Sequence, residues 1–596
     1  MRRRAVLEAA ALLPLLPFVT LAPARPLAPF RRVRPTDPSW PSRAEWDALK
    51  SAVGGNLLQV QPLFAPCAAA PDGAACQDVY RNIRNPFYIG DQPGGTQVSG
   101  WLDAWTPAPS AWAVKARSAA DVAAAVNFAR THKLRVVVKG GAHSYLGTSN
   151  APDSLLIWTR AMNQIAVEDA FVPKGCDAKV APTPALTLGA GCVWIDAYSV
   201  VTTRGGRYVQ GGGCTSVGVA GLIQSGGFGS FSKGFGNAAA GLLEAEVVTA
   251  DGRARIANAC TDPDLFWALK GGGGGTFGVV TRLTLRTHEL PQFFGGAWGT
   301  VKARSDEAFR RLVARFVAFY AESLANPHWG EQIAVKPDNS LNISMVQQGL
   351  SPEEARAVWQ PFFEFVGSSK DLAVTAELGA GAHRAQSWWE IAANPSMIPD
   401  QRPGASPDHA WWQGDQDQVG GYLHGYESLW LPASLLRGSG QPRLAEALFA
   451  ASRHKDVGLH INKGLAFAPA EAIRASLDTA MNPAVTEAFA LAIIADGEGP
   501  CYPGMQRPPI DLAAARSDAR SIDRAADELR KVAPEPGSYL SESNYFNNSW
   551  QQAYFGTNYP RLRSVKQRYD PGGLFVVHHG VGSEDWSADG FTLLGE

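Results

Sequence analysis

The segment GGGCTSVGVAGLIQSGGFG, Gly211 to Gly229, sets a single cysteine, Cys214, among glycines. Two more glycine-rich stretches stand near it in the chain, KGGAHSYLG at 139–147 and GGGGGTFG at 271–278. Glycine reaches positive φ without strain and lets backbone approach a ligand closely. One such loop reads as a tight turn. Three of them within about 140 residues, two holding a histidine and a cysteine, read instead as a cradle whose bare N–H groups line a long, phosphate-containing ligand. Gly273-x-Gly275-x-x-Gly278 satisfies the dinucleotide fingerprint in letters only, because that loop must open a helix and here the strand-like VVTRLTL follows. A nicotinamide Rossmann site is therefore excluded, and the lack of a GxxxxGK[ST] run argues equally against an ATP-type loop.

A chain of 596 residues exceeds what one hydrophobic core holds, so two or more domains are expected. The net charge of −1, with no Lys/Arg run beyond the N-terminus, speaks against nucleic acid as a partner. The first residues join Arg2, Arg3 and Arg4 to a short apolar run interrupted by Pro14 and Pro17, then to Ala22-Pro23-Ala24. This predicts an export signal over 1–28, either an ordinary secretory one or a twin-arginine one, and no stable membrane anchor. A secreted or periplasmic location follows. Seven cysteines leave at least one without an intramolecular partner, and Cys67 with Cys76 is the easiest pair to form. No cysteine or histidine spacing points to a metal.

Residues 29–109 are Pro-rich and read as an irregular extension wrapped on the main body. Beyond them, Val122, Ala125, Val126 and Ala129 share a helical face, RVVVK (135–139) and SLLIW (154–158) read as strands, and CVWIDAYSVVTTRG as a glycine-ended helix. Asp251-Gly252 joins two alternating runs as a hairpin. From about Glu289 the pattern changes to longer amphipathic helices, with Phe309, Leu312, Val313, Phe316 and Val317 in register, interleaved with strands such as LNISMVQQ and VGLHINKGLAFA. The class is α+β. The tail reads as a helix stopped by Asp570-Pro571, then a final strand returning to the first domain.

In KGGAHSYLGTS, GGGCTSVGVAGLIQSGGFG, LFWALKGGGGGTFGVVTRLTL and YFGTNYPRLRSVKQRYDPGGLF, the chain resembles, in order and over about 101–575, the berberine-bridge-enzyme-like branch of the vanillyl-alcohol oxidase (PCMH-type) FAD-linked oxidoreductases. The resemblance implies a PCMH-type FAD-binding domain at 110–289, an α+β substrate domain at 290–534, and a C-terminal segment, 535–596, completing the first domain. It implies FAD held at Lys139, Gly140, Gly141, Ala142, His143, Ser144, Gly147, Gly213, Cys214, Val217, Gly218, Gly221, Ser225, Gly227, Gly229, Gly278, Val279 and Asn558. It also implies two covalent bonds to the flavin, His143 to the 8α-methyl and Cys214 to C6, which leaves six other cysteines, an even number compatible with three disulfides. The chain departs from the family at Ala142, where glycine is usual, and at Lys139, where arginine is usual.

By the same resemblance, SYLSESNYFNNSW aligns Glu542 with a position that commonly faces the active site. Glu542 is thus a candidate base, Tyr545 a second, with Asn544 able to orient either. On the opposite wall His460, Asn462 and Lys463 are candidates, and strand alternation would put His460 and Asn462 on one face with Lys463 on the other. Val217, three residues after the cysteine, is the type associated with oxygen access. The expected activity is oxidation of an alcohol, a sugar or another hydroxylated small molecule, with O2 as acceptor. A dehydrogenase with another acceptor, a berberine-bridge-type oxidative cyclase, and a non-catalytic flavin- or carbohydrate-binding protein are the competing readings.

Overall fold

The computed structural model describes residues 30–176 and 180–594; the expected export signal lies outside them. Three sheets carry the fold. Strands β1 (Leu57–Gln59), β2 (Trp112–Lys115), β3 (Arg135–Lys139) and β4 (Ser154–Trp158) form the first in the order β1-β2-β4-β3, parallel except where β1 meets β2. A parallel pair needs a crossover, supplied between β2 and β3 by the helix Ala119–Thr131, which buries Val122, Ala125, Val126 and Ala129 as its spacing predicts.

The second sheet is antiparallel: β5 (Ile165–Phe171), β6 (Thr183–Gly189), β7 (Arg207–Val209), β8 (Leu242–Val248), β9 (Ala254–Asn258) and β10 (Val279–Glu289), in the order β5-β6-β10-β8-β9 with β7 also on β10. Gly252, at φ 77°, makes the expected β8–β9 turn. The third glycine loop runs straight into β10, so it opens a strand, as read above.

The remaining large sheet joins β11 (Phe293–Ala303), β12 (Trp329–Val335), β13 (Ser340–Gln348) and β14 (Leu372–Arg384) to β17 (Tyr422–Pro432), β18 (Val457–His460) and β19 (Ala488–Glu498), while β15 (Met397–Pro399) and β16 (Ala410–Trp412) pair apart from it. Helices Asp306–Phe319, Pro352–Ser368, Gly440–Ser452 and Leu512–Arg530 bury their apolar faces in one core with it. Ser305 and Ser351 cap the first two of these, each side chain accepting from a backbone N–H three residues on. Among the described residues no helix is long and apolar enough to cross a membrane.

Three local expectations are corrected. Residues 29–109 are not simply irregular: a capping box of Ser42 and Glu45 starts the helix Arg43–Ala52, and β1 joins the first sheet. Among the described residues the tail holds no final strand, because the Asp570 carboxylate accepts from the N–H groups of Leu574 and Phe575 and so replaces a ladder. The strand over VGLHINKGLAFA stops at His460: residues 461–463 form a 3-10 turn, and Lys233 takes the carbonyls of Gly464, Ala466 and Phe489. The tail nevertheless does return to the first domain. Lys566, buried and paired with Asp570 at 2.6 Å, donates to Thr276 O at 2.7 Å and so seats the third glycine loop. Both ends of the described chain meet there too, Arg32 N donating to Phe591 O and Val33 N to Lys133 O.

Two disulfides, Cys67–Cys76 and Cys176–Cys260, are formed. Cys192, Cys214 and Cys501 are free, so the count of three disulfides is not reached. Cys192 is fully buried and its Sγ faces Gln164 O at 3.7 Å.

Candidate active site

β3 ends at Lys139, and the chain turns away through Gly140 and Gly141. A Cβ on Gly141 would come within 2.7 Å of Gly218 N, so the first two glycine loops touch backbone to backbone. Ala142 is held at φ 65°, the left-handed region that costs an L-residue about 1–2 kcal/mol. That strained residue aims His143 at the second loop, where its Nε2 lies 3.1 Å from Ser216 Oγ. Burial lowers His143 to about 4, leaving the imidazole neutral with a free lone pair at neutral pH. From Gly140 to Gly147, no backbone N–H has a hydrogen-bond partner among the described residues.

Cys214 lies across this loop with Asp415, Lys463 and Glu331 as its charged neighbours; burial pushes its thiol well up. Glu331, on β12 at φ 59°, accepts from Asn462 Nδ2 at 3.3 Å, and a Cβ on Gly213 would sit 3.5 Å from its Oε1. Burial raises Glu331, and it raises Asp415 to about 6. Lys463 Nζ donates to Glu542 Oε2 as an ion pair. The Glu542 backbone carbonyl is fixed by Ser428 Oγ, itself 2.7 Å from Ser538 Oγ. Tyr145 and Tyr426, ring centroids 5.4 Å apart, close the same region, and both feel the Glu542 charge. The structure thus brings Cys214, Asn462, Lys463 and Glu542 together, along with Glu331, Asp415 and Tyr426, which the sequence pattern does not single out, while His143 reaches the cysteine's loop at Ser216. Glu331 sits in an ordinary strand pattern and Asp415 in a polar turn, so neither carries a local signal.

The 3-10 turn after β18 overturns the alternation expected there: Asn462 and Lys463 both reach the cluster, Asn462 Nδ2 also donating to Gly229 O at 3.2 Å. His460 lies beside them at the strand end, half-buried, its Nδ1 without a hydrogen-bond partner among the described residues. Tyr545 lies apart, its ring stacked on His578 at 3.8 Å. Asn544 orients neither candidate base; its Nδ2 donates to Glu427 Oε1 at 2.8 Å. Asn558 donates to Met481 O at 2.7 Å, across to the substrate-side loop. The Lys139 ammonium points away from the loop it precedes, donating to the carbonyls of Gln92, Pro93 and Gly95.

Of the other expected cofactor positions, Ser144 Oγ holds Thr148 N at 3.2 Å and Gly147 (φ 69°) lets Trp105 pack on the loop. Ser225 Oγ closes the helix containing Gly221, and Gly227 (φ 69°) and Gly229 press on Leu222 and Gly211 O. Val217 packs against the first domain's core, and Gly278 leads into the fully buried Val279 at the start of β10. Eight N–H groups without a partner among the described residues, beside a neutral imidazole, fit a phosphate-bearing cofactor.

Comparison with known proteins agrees. Residues 110–258 match the family described as FAD binding domain, and residues 526–582 the one described as berberine and berberine like. VAO-type flavoprotein oxidase VAO615 of Thermothelomyces thermophilus is 30% identical, the match covering 93% of each chain. An uncharacterized FAD-linked oxidoreductase of Arthroderma benhamiae is 29% identical over 92% of this chain and 94% of its own. Among solved structures, VAO-type flavoprotein MtVAO615 from Myceliophthora thermophila superposes with a TM-score of 0.75 and 26% identity, covering 94% of this chain and 99% of that one. By these matches and the geometry they accompany, the chain belongs to the berberine-bridge-enzyme-like branch of the VAO family of FAD-linked oxidoreductases.

Proposed function

We propose that the protein is an exported oxidase that removes hydride from an alcohol carbon of a hydroxylated small molecule, with O2 as the final acceptor. FAD, once bound, supplies the hydride acceptor. His143 and Cys214 are the residues proposed to bond it, the first as a neutral imidazole and the second as the thiolate left when its thiol proton is removed. The observation that carries the reading is the Glu542–Lys463 ion pair beside Cys214. Glu542 takes the hydroxyl proton as general base, while Lys463 keeps the carboxylate oriented. Glu331, Asn462 and Tyr426 offer hydrogen bonds to the remaining hydroxyls of a polyol or sugar. Support for oxygen as acceptor comes from Val217 and from the oxidase VAO615 being a relative over nearly the whole chain. Two disulfides support an oxidising compartment outside the cytoplasm.

The test is anaerobic mixing of the yellow protein with a panel of alcohols and sugars, then admission of air. Bleaching by a substrate, return of the oxidised spectrum and stoichiometric peroxide support the reading. Reduction without peroxide on reoxidation points to a dehydrogenase, and a flavin that no compound reduces points to a binding protein.

A further inference from the structure

A cavity of about 430 Å³ lies away from the active site, between the N-terminal segment, the end of the helix Ala119–Thr131, the β8–β9 hairpin and the chain after Tyr569. It adjoins the start of β3, whereas the flavin loop leaves the other end of that strand. Leu134 and Gly140 bracket β3, about 20 Å of extended chain apart. The cavity therefore does not belong to the cleft described above, and its volume falls in the ordinary range for small-molecule sites, about 300–1,000 Å³.

Its walls have two characters. Phe30, Leu134 and Leu574 make an apolar interior, and Arg32, Arg130 and Lys133 surround it. The acids of the lining are already matched, Asp251 by Arg255 at 2.8 Å and Asp570 by Lys566 at 2.6 Å. Among the described residues, no carboxylate pairs with Arg32, Arg130 or Lys133. Arg32 is only 2% exposed; it stacks on the Trp586 ring at 4.2 Å with the Asp570 charge nearby, one of its nitrogens donates to Gly573 O, and its Nη1 has no hydrogen-bond partner among the described residues. A buried guanidinium with an unmet donor is costly unless an anion completes it. Arg130 and Lys133 lie on the exposed rim, where long cationic side chains reach an incoming head group without distortion.

We propose that this cavity is a second ligand site, for a small amphipathic monoanion: a carboxylate met by Arg32, Arg130 and Lys133, with a hydrocarbon body against Phe30, Leu134 and Leu574. An anion without an apolar body leaves the interior wet, and an apolar molecule without an anion leaves the rim cations Arg130 and Lys133 unmatched, so the two features act together.

The test is calorimetric titration of the flavin-loaded protein with decanoate and, separately, with decanol. One saturable site for decanoate is expected, with decanol at least tenfold weaker. The rim double variant Arg130→Glu, Lys133→Glu is expected to weaken decanoate tenfold or more while the flavin spectrum stays unchanged, and Leu574→Trp, which fills the interior, to abolish binding. Absence of saturable binding overturns the proposal, as do equal affinities for the acid and the alcohol, or a rim variant that binds like the parent. Binding that arises only after removal of the residues preceding Phe30 overturns it too, because the cavity is then the seat of the chain's own N-terminal segment. If Leu574→Trp fails to fold, the rim variant alone decides.

Discussion

Lys139→Met tests whether the ammonium at the mouth of the first glycine loop is a buried structural cation. Lys139 is 1% exposed, and its Nζ donates to three carbonyls at 2.8, 2.6 and 3.0 Å. Burial lowers it from 10.5 to about 7, a difference of about 5 kcal/mol between the two protonation states. The three carbonyls favour the charged form, so that figure is a ceiling. The sign follows from proton binding. Below about 7 both folded and unfolded states hold the proton; between about 7 and 10.5 only the unfolded state does, so stability rises with pH, by at most about 1.4 kcal/mol per pH unit. Above 10.5 the gain is complete. Methionine abolishes this titration. Guanidinium unfolding of the parent and of Lys139→Met, in pairs from pH 7 to 10, gives a difference in which titrations common to both proteins cancel. That difference should grow in favour of the parent by several kcal/mol. A difference that stays flat across the range refutes the reasoning, since the ammonium is then as comfortable in the fold as in water.

Ala142→Gly should stabilise the protein by up to about 1.6 kcal/mol, the relief of left-handed strain of about 1–2 kcal/mol outweighing roughly 0.4–1 kcal/mol of added chain entropy; a loss of stability in denaturation would show that the strain at φ 65° is smaller than that entropy cost. Cys214→Ala and His143→Ala should each keep the flavin with acid-precipitated protein through the remaining bond, while the double variant releases it; flavin washing out of the parent sinks the two-bond reading. Glu542→Gln keeps the hydrogen bond to Lys463 but removes the base, and should slow anaerobic flavin reduction about 10²–10⁴-fold, with an unchanged rate discarding that role. Lys463→Met should slow the same step less, since it disturbs only the orientation of the carboxylate.

The loops were legible because glycine density, a histidine and a cysteine are local signals, and the helix face of Val122, Ala125, Val126 and Ala129 because burial follows period. Asn462 and Lys463 were found as residues but given the wrong geometry. Alternation assumes a continuing strand, and it is the distant Lys233 that draws away the carbonyls of Gly464 and Ala466. The same physics hid the direction of Lys139, whose partners lie more than forty residues earlier. Glu331 and Asp415 reach the site through tertiary packing alone. The missing last strand reflects one carboxylate, Asp570, competing with a neighbouring strand for two N–H groups.

The lock between Lys566 and the third glycine loop, and the pairing of Arg32 with Phe591, have a consequence for biosynthesis. The FAD-binding half is closed by Lys566, 290 residues beyond the Thr276 carbonyl that it holds, so that half is not complete until this later segment has been made. An export route that threads the nascent polypeptide would deliver it before that half exists, whereas a carrier of finished cargo would deliver it already yellow.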